Sequence, residues 1–333
     1  MPNHGSSEAQ FDLVSHGRRG PGRRDRLTPA QIAQISRTVR RVPEVMVKVL
    51  STGTTSVKGV QKHLDYIGRK GELDLETDEG QKLRGEEAKN LLDDWDLDLD
   101  EHRHREGLES ANGREPPRLI HKLMFSMPPG TPPDKVLSAV RNFCREEFAL
   151  KHRYVMALHT DEPHPHVHVV VKAMSEQGKR LNIKKPMLRE WRGKFAAQLR
   201  ALGVEANATD RFVWGVPTRS LKDGMYRATL RGDSRQMRER LAAVVRALVI
   251  GKLGVEPARA KMLQTHTTMQ GHWQIVSQSL QVNGQSQLAE QLHIFLDRLQ
   301  RPKTDTERMR EQLKSQDLSQ VPMQRDQNRD PSR

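Results

Sequence analysis

Between residues 44 and 204 the apolar positions alternate between two periods. Residues 45–50 form a short run rich in valine and predict a first strand. A turn at 52–55 separates it from residues 57–67. There Val60, Leu64 and Ile67 recur at i, i+4 and i+7, the stripe of an amphipathic helix. Arg69, Lys70 and Gly71 follow, the basic residues and glycine that favour a helix C-terminus. Residues 73–76 read as a short strand leading into a turn at 78–80. Residues 86–95 read as a helix, and the acidic stretch 93–113 as a loop. Residues 119–126 predict another strand. Thr131, Pro132, Pro133 and Asp134 then open a helix, with Thr131 as N-cap and proline in the first turn. Its apolar face is Val136, Leu137, Val140, Phe143 and Cys144. Two further strands, 153–158 and 167–171, are joined by a proline-rich turn. Residues 186–202 form an amphipathic helix on Leu188, Trp191, Phe195, Leu199 and Leu202.

This pattern predicts an α+β fold with a central antiparallel sheet flanked by helices over residues 44–205. Residues 1–43 lack periodicity and are rich in Gly, Ser, Pro and Arg, so a basic disordered extension is expected. From about residue 217 the character changes. Leu241, Val244, Val245, Leu248 and Val249 mark one helix, and Leu288, Leu292, Phe295, Leu296 and Leu299 another. A mostly α-helical C-terminal region is therefore expected over 206–310, and a polar disordered tail over 311–333. No internal repeat is apparent.

Charge sharpens this picture. The net charge is +14, but residues 72–109 carry 15 acidic against 5 basic side chains, leaving +24 on the rest. An excess of that size points to a polyanionic partner, nucleic acid before an anionic membrane surface. No run of about 18 apolar residues is present, so no membrane insertion is expected. The first twenty residues contain no apolar core of a secretory signal. One cysteine, Cys144, excludes an intramolecular disulfide and fits a reducing compartment.

Of 14 histidines, five fall between residues 152 and 168. His166 and His168 are two apart where a strand begins, so both rings point to one face. The proline-bearing turn brings His159 back beside them. Three neutral imidazoles that leave open positions on an ion form a catalytic rather than a structural metal arrangement. Asp161 is placed to orient a ligand histidine. His164, between two prolines, is a candidate DNA contact whose direction the sequence leaves open. The plainer reading is a polar hairpin with surface histidines. His102-Arg103-His104 has the same spacing in a charged stretch and is discounted on that ground; the 159–168 cluster has three ligands, a carboxylate and an apolar run behind it. A metal beside a basic surface suggests phosphodiester chemistry, with the attacking group left open between water and a side chain.

The chain has three tyrosines, Tyr66, Tyr154 and Tyr226. Tyr154 lies in the strand before His159 at odd spacing and reads as a packing residue. Tyr66 ends the first helix, with Arg69 and Lys70 beside it as phosphate contacts. Taken alone, a helix tyrosine packed on the core is the simpler reading.

Three segments bear on that choice: His63-Leu64-Asp65-Tyr66-Ile67-Gly68-Arg69-Lys70-Gly71-Glu72-Leu73; Phe125-Ser126-Met127-Pro128-Pro129-Gly130-Thr131; and His159-Thr160-Asp161 through His166-Val167-His168-Val169-Val170-Val171. Together, in this order and spacing, they resemble the HUH endonucleases, and within them the conjugative relaxases of the MobP type, the branch that includes T-DNA border-nicking relaxases. The resemblance covers roughly residues 44–205 and implies an enzyme, a site- and strand-specific DNA endonuclease and strand transferase. It implies that Tyr66 is the nucleophile at a transfer-origin nick site, leaving a free 3′-hydroxyl and a 5′-phosphotyrosine. It implies that His159, His166 and His168 hold Mg²⁺ or Mn²⁺, that Asp161 orients a histidine or takes the tyrosine's proton, and that Ser126 binds DNA. Relaxosome accessory proteins, a type IV coupling protein and a separate helicase are the partners it implies, in a bacterial cytoplasm, with export alongside the transferred strand. No GxxxxGK[ST] motif marks a fused helicase. Arg325, Arg329 and Arg333 resemble a secretion-recognition tail. The alternatives are a rolling-circle replication initiator or transposase of the same superfamily, a water-using metal hydrolase, and a non-enzymatic basic DNA-binding regulator. Tyrosine ahead of the histidine motif argues against the first.

Overall fold

The computed structural model describes residues 11–17, 26–50, 54–109, 117–214, 228, 231–250, 256–299 and 301–315. In chain order its helices are α1 (Leu13–Gly17), α2 (Pro29–Val39), α3 (Val57–Ile67), α4 (Glu87–Asp94), α5 (Leu97–Glu109), α6 (Pro133–Phe148), α7 (Lys185–Ala201), α8 (Arg235–Val249), α9 (Pro257–Val282), α10 (Ser286–Asp297) and α11 (Asp305–Ser315). Its strands are β1 (Met46–Val49), β2 (Leu75–Thr77), β3 (Lys82–Leu83), β4 (Ile120–Ser126), β5 (Tyr154–His159) and β6 (His166–Lys172). The chain divides into two compact units at Asp210/Arg211, with residues 12–27 going with the second.

The first unit is built on one six-stranded sheet of order β1-β4-β6-β5-β2-β3, antiparallel throughout. The α+β expectation is met. Strand alternation sorts side chains onto two faces. Leu123, Phe125, Met156, Val167, Val169 and Val171 bury against Phe143, Phe148, Trp191 and Phe195 of α6 and α7. Val155, Ala157, Ile120 and Val170 bury against Val60, Leu64 and Ile67 of α3 and Leu91, Trp95 and Leu97 around α4 and α5. Ser56 caps α3 through its hydroxyl on the Gly59 N–H.

Three local expectations change. The acidic stretch 93–113 was expected to be a loop, yet residues 97–109 form α5. Its charges disguise good helix formers without a proline, and Leu97 and Asp100 are buried. Glu101 accepts the Val57 N–H at 2.7 Å, so this helix places a carboxylate at the positive N-terminus of α3. Residues 1–43 were expected to be disordered, yet 29–39 form α2, held by a full capping box between Thr28 and Gln31. Gln34 accepts the Phe11 N–H and donates to the Ala208 carbonyl, contacts that no local periodicity encodes. The helix opened by Thr131 starts at Pro133; the Thr131 hydroxyl donates to the Pro128 carbonyl instead.

The second unit is helical. Met269, Trp273, Val276 and Leu280 form the buried stripe of α9, beside Leu288, Leu292 and Phe295 of α10. Trp273 donates its indole N–H to the Val213 carbonyl at 3.1 Å. No described helix is long and apolar enough to cross a membrane. The arginines at 325, 329 and 333, and Tyr226, lie outside the described residues.

Candidate active site and metal centre

The site is assembled by register. Ser126 of β4, His166 of β6 and His159 of β5 stand directly opposite one another in neighbouring strands, and Met124, His168 and Ala157 form the next row. Partners in antiparallel register share a face, so all three histidines lie on the α3 side of the sheet. Their ring centroids are 4.6 Å (159–168), 5.1 Å (159–166) and 5.2 Å (166–168) apart. One nitrogen from each lies within 4.8 Å of the others.

Backbone carbonyls orient two of the rings. His159 donates its Nε2–H to the Ile67 carbonyl at 2.7 Å, which leaves Nδ1 as a lone pair, buried and without a protein partner. His166 donates Nδ1–H to the His164 carbonyl at 3.0 Å, which leaves Nε2 as its lone pair. In His168, Nδ1 is likewise buried and unpartnered. Unsatisfied buried nitrogens converging on one point cost free energy unless a ligand satisfies them. Burial holds the His168 imidazole down at about 3, helped by His159, His166, His63 and Arg69. Burial also holds His159 below its usual range, opposed by its bond to Ile67. Neutral imidazoles are the form a metal takes. The donor set therefore fits a divalent ion with open positions.

Tyr66 stands over this cluster. The α3 stripe Val60, Leu64, Ile67 turns inward and leaves the Tyr66 ring 55% exposed, so it is not a core tyrosine. Its centroid is 6.0 Å from that of His168, edge to face. The Arg69 guanidinium carbon lies 5.3 Å from the ring centre and pairs with the Asp161 carboxylate. Arg69 and Lys70 both take left-handed backbone, φ 50° and 55°, ahead of Gly71 at φ 94°. A side chain on Gly71 would meet the Gly85 Cα at 3.0 Å, so the turn that aims Arg69 requires glycine.

The candidate residues are not all brought together. Asp161 meets Arg69, and the ring-orienting part expected of it is taken by the Ile67 carbonyl. Ser126 is 9% exposed in the row beside His166. Lys70 lines a separate cleft with Asp65, Gly85 and Glu86. His164 contributes its carbonyl to His166 and is not in the ligand cluster.

One residue without an expected role stands in the site. His63 stacks on Tyr66 at 6.0 Å and lies edge-on to His168 at 6.4 Å. Its Nε2 is buried and unpartnered, and burial, with the nearby Lys122 charge, holds it down at about 4. The signal was available: His63 and Tyr66 are three apart on one helix and so share a side.

Residues 66–201 match the family model described as "Relaxase: MobA/VirD2-like, nuclease domain". The chain is 25% identical over 209 residues to the "T-DNA border endonuclease VirD2" of Agrobacterium fabrum, covering 59% of this chain and 46% of that protein. It is 24% identical over 198 residues to the protein of the same description from Rhizobium radiobacter, covering 55% and 46%. The chain thus aligns with about half the length of these relatives.

Proposed function

We propose, from the match of residues 66–201 to the MobA/VirD2-like relaxase nuclease model, that the protein nicks one DNA strand at a transfer origin and holds the cut end covalently on Tyr66. The observation that carries this reading is the exposed Tyr66 ring set edge-on to His168 in a cluster of three histidines, one nitrogen of each lying within 4.8 Å of the others.

Tyr66 Oη attacks the scissile phosphorus. The P–O bond to the 3′-oxygen breaks, that oxygen leaves as a 3′-hydroxyl after taking a proton, and the 5′-phosphate stays on the tyrosine. The bond energy is conserved in the phosphotyrosine, so a 3′-hydroxyl rejoins a strand by the reverse step. Mg²⁺ or Mn²⁺ held by His159, His166 and His168 supplies Lewis-acid stabilisation of the charge on the phosphoryl oxygens. Arg69 lies over the Tyr66 ring and offers a guanidinium to the same phosphate. Asp161 positions Arg69 and helps take the phenolic proton. His63 braces the nucleophile against His168. Ser126, beside His166, contacts the bound strand, and Lys70 and His164 are outlying contacts. The protein works in this reading with accessory relaxosome proteins, a separate helicase and a type IV coupling protein, in the bacterial cytoplasm and exported with the strand.

The test is an end-labelled single-stranded oligonucleotide spanning the element's own transfer origin, incubated with Mg²⁺ or Mn²⁺. Wild type is expected to give a nick and a denaturant-resistant adduct, and Tyr66→Phe neither. Cleavage by Tyr66→Phe, or cleavage without an adduct, makes water or another side chain the nucleophile.

A further inference from the structure

The rows that bring the histidines together continue past them to the edge of the sheet. In register, His159, His166, Ser126 and Met46 form one row, and His168, Met124 and Lys48 lie in the next. Partners in register share a face, so the side chains of Met46 and Lys48 lie on the histidine side of β1. At the β5 and β6 end α3 covers that side, with Val60, Leu64 and Ile67 on Val155, Ala157 and Val170. At the β1 end it meets solvent: Met46 is 41% exposed and Lys48 is exposed. Met124, between Lys48 and His168, is half-buried. Val47 and Phe125, the alternate residues, are buried in the α6 and α7 core, which fixes the backbone from which Met46 and Lys48 project. Glu44, two residues before Met46, turns its carboxylate to other partners. It accepts from the Thr209 N–H and hydroxyl at 2.8 and 2.7 Å and from the Asn207 amide at 3.2 Å.

A lysine on an edge strand often serves only to stop another strand from pairing. That accounts for Lys48 taken alone. It does not account for an exposed methionine two residues away, in one row with two candidate metal ligands, because an apolar side chain invites contact. Methionine is unbranched and polarisable and packs against flat rings. The lysine beside it offers a cation to a phosphate. Unpaired bases present their faces to such side chains while the backbone follows the cations. Met46 and Lys48 stand two strand spacings, about 10 Å, from His166 and His168. A strand held by its phosphate at the histidines and leaving across β4 therefore passes over both.

We infer that Met46 and Lys48 form a floor for the nucleotides adjoining the cleaved bond on one side, with Met46 against a base and Lys48 on a phosphate. The inference rests on the proposed nicking reaction for the identity of the strand, but binding to the floor is measured apart from cleavage.

The experiment compares the full-length wild type with Met46→Ala and Lys48→Ala, both at exposed positions, with melting temperature as the folding control. Fluorescence anisotropy without metal reads binding of a single-stranded oligonucleotide spanning the transfer origin, and of two half-length oligonucleotides that each end at the nick. Met46→Ala is expected to weaken binding of the spanning oligonucleotide about fivefold with the salt slope unchanged, because an apolar contact is lost. Lys48→Ala is expected to make the slope shallower by about 0.7, the signature of one single-strand phosphate contact. Both losses should appear on one half-length oligonucleotide and be absent on the other. Met46→Leu, which keeps the apolar bulk, should bind as wild type. Unchanged affinity in both alanine variants overturns the proposal and leaves this face to a partner other than DNA. Equal losses on both half-length oligonucleotides also overturn it, as damage to the site as a whole. If wild type binds but gives no cleavage once Mg²⁺ is added, the nicking reaction falls, and the floor is judged on the same affinity differences.

Discussion

The two faces of the sheet use the same three central strands for opposite ends. On the α6 and α7 face, Val167, Val169 and Val171 meet Phe143, Trp191 and Phe195, and the aromatic rings pack tilted or edge to face at 4.9 to 5.9 Å. On the α3 face the intervening residues of β6 run His166, His168, Val170. That face is apolar at one end and leaves ring nitrogens without protein partners at the other. The odd positions of β6 hold the fold together; the even ones at its start carry two of the three candidate metal ligands. Register protects the division, because a slip of one residue moves every side chain to the other face.

The comparison is tested first where stability should be most sensitive. Phe143→Ala removes a fully buried ring from the sealed face and is expected to cost about 3–5 kcal/mol, read by denaturant unfolding. Its specific activity per folded molecule should stay near wild type. A loss under 1 kcal/mol would show that this face is not where the stability lies.

The opposite signature is expected at the other face. His168→Ala should weaken Mn²⁺ binding by more than about 100-fold, measured by calorimetry, since loss even of groups that only orient ligands costs up to that much. Metal-free stability should hold or rise, because the substitution deletes a buried nitrogen that has no partner. A metal-free loss as large as that of Phe143→Ala would erase the distinction between the faces.

Asp161→Asn should have the smallest effect. The Arg69–Asp161 pair is partly exposed, so stability is expected to change by no more than about 1 kcal/mol. Adduct formation on the transfer-origin oligonucleotide should slow by about tenfold as Arg69 loses its anchor. An unchanged rate, timed by rapid quench, would reduce Asp161 to a surface charge.

The legible parts of the molecule are those whose information is local. Strand alternation placed His166 and His168 on one face, and the 60/64/67 stripe marked α3. The helix α9 escaped because its buried residues are diluted by Gln, Thr, Ser and His. The helix α5 escaped because fifteen acids over residues 72–109 mask a sequence that still forms a helix.

By itself the sequence determined the period of each element, the three motifs and their order, and the excess of positive charge. Only the tertiary structure decided that Tyr66 stands exposed over His168, that the Ile67 and His164 carbonyls choose which nitrogens of His159 and His166 remain open, and that Arg69 joins Asp161 to the tyrosine. The reason is physical. A period says which way a side chain points from its own element, whereas a site is a meeting of elements. Ile67 and His159 are 92 residues apart, and strand order and register, set by the packing of both faces, bring them within a hydrogen bond.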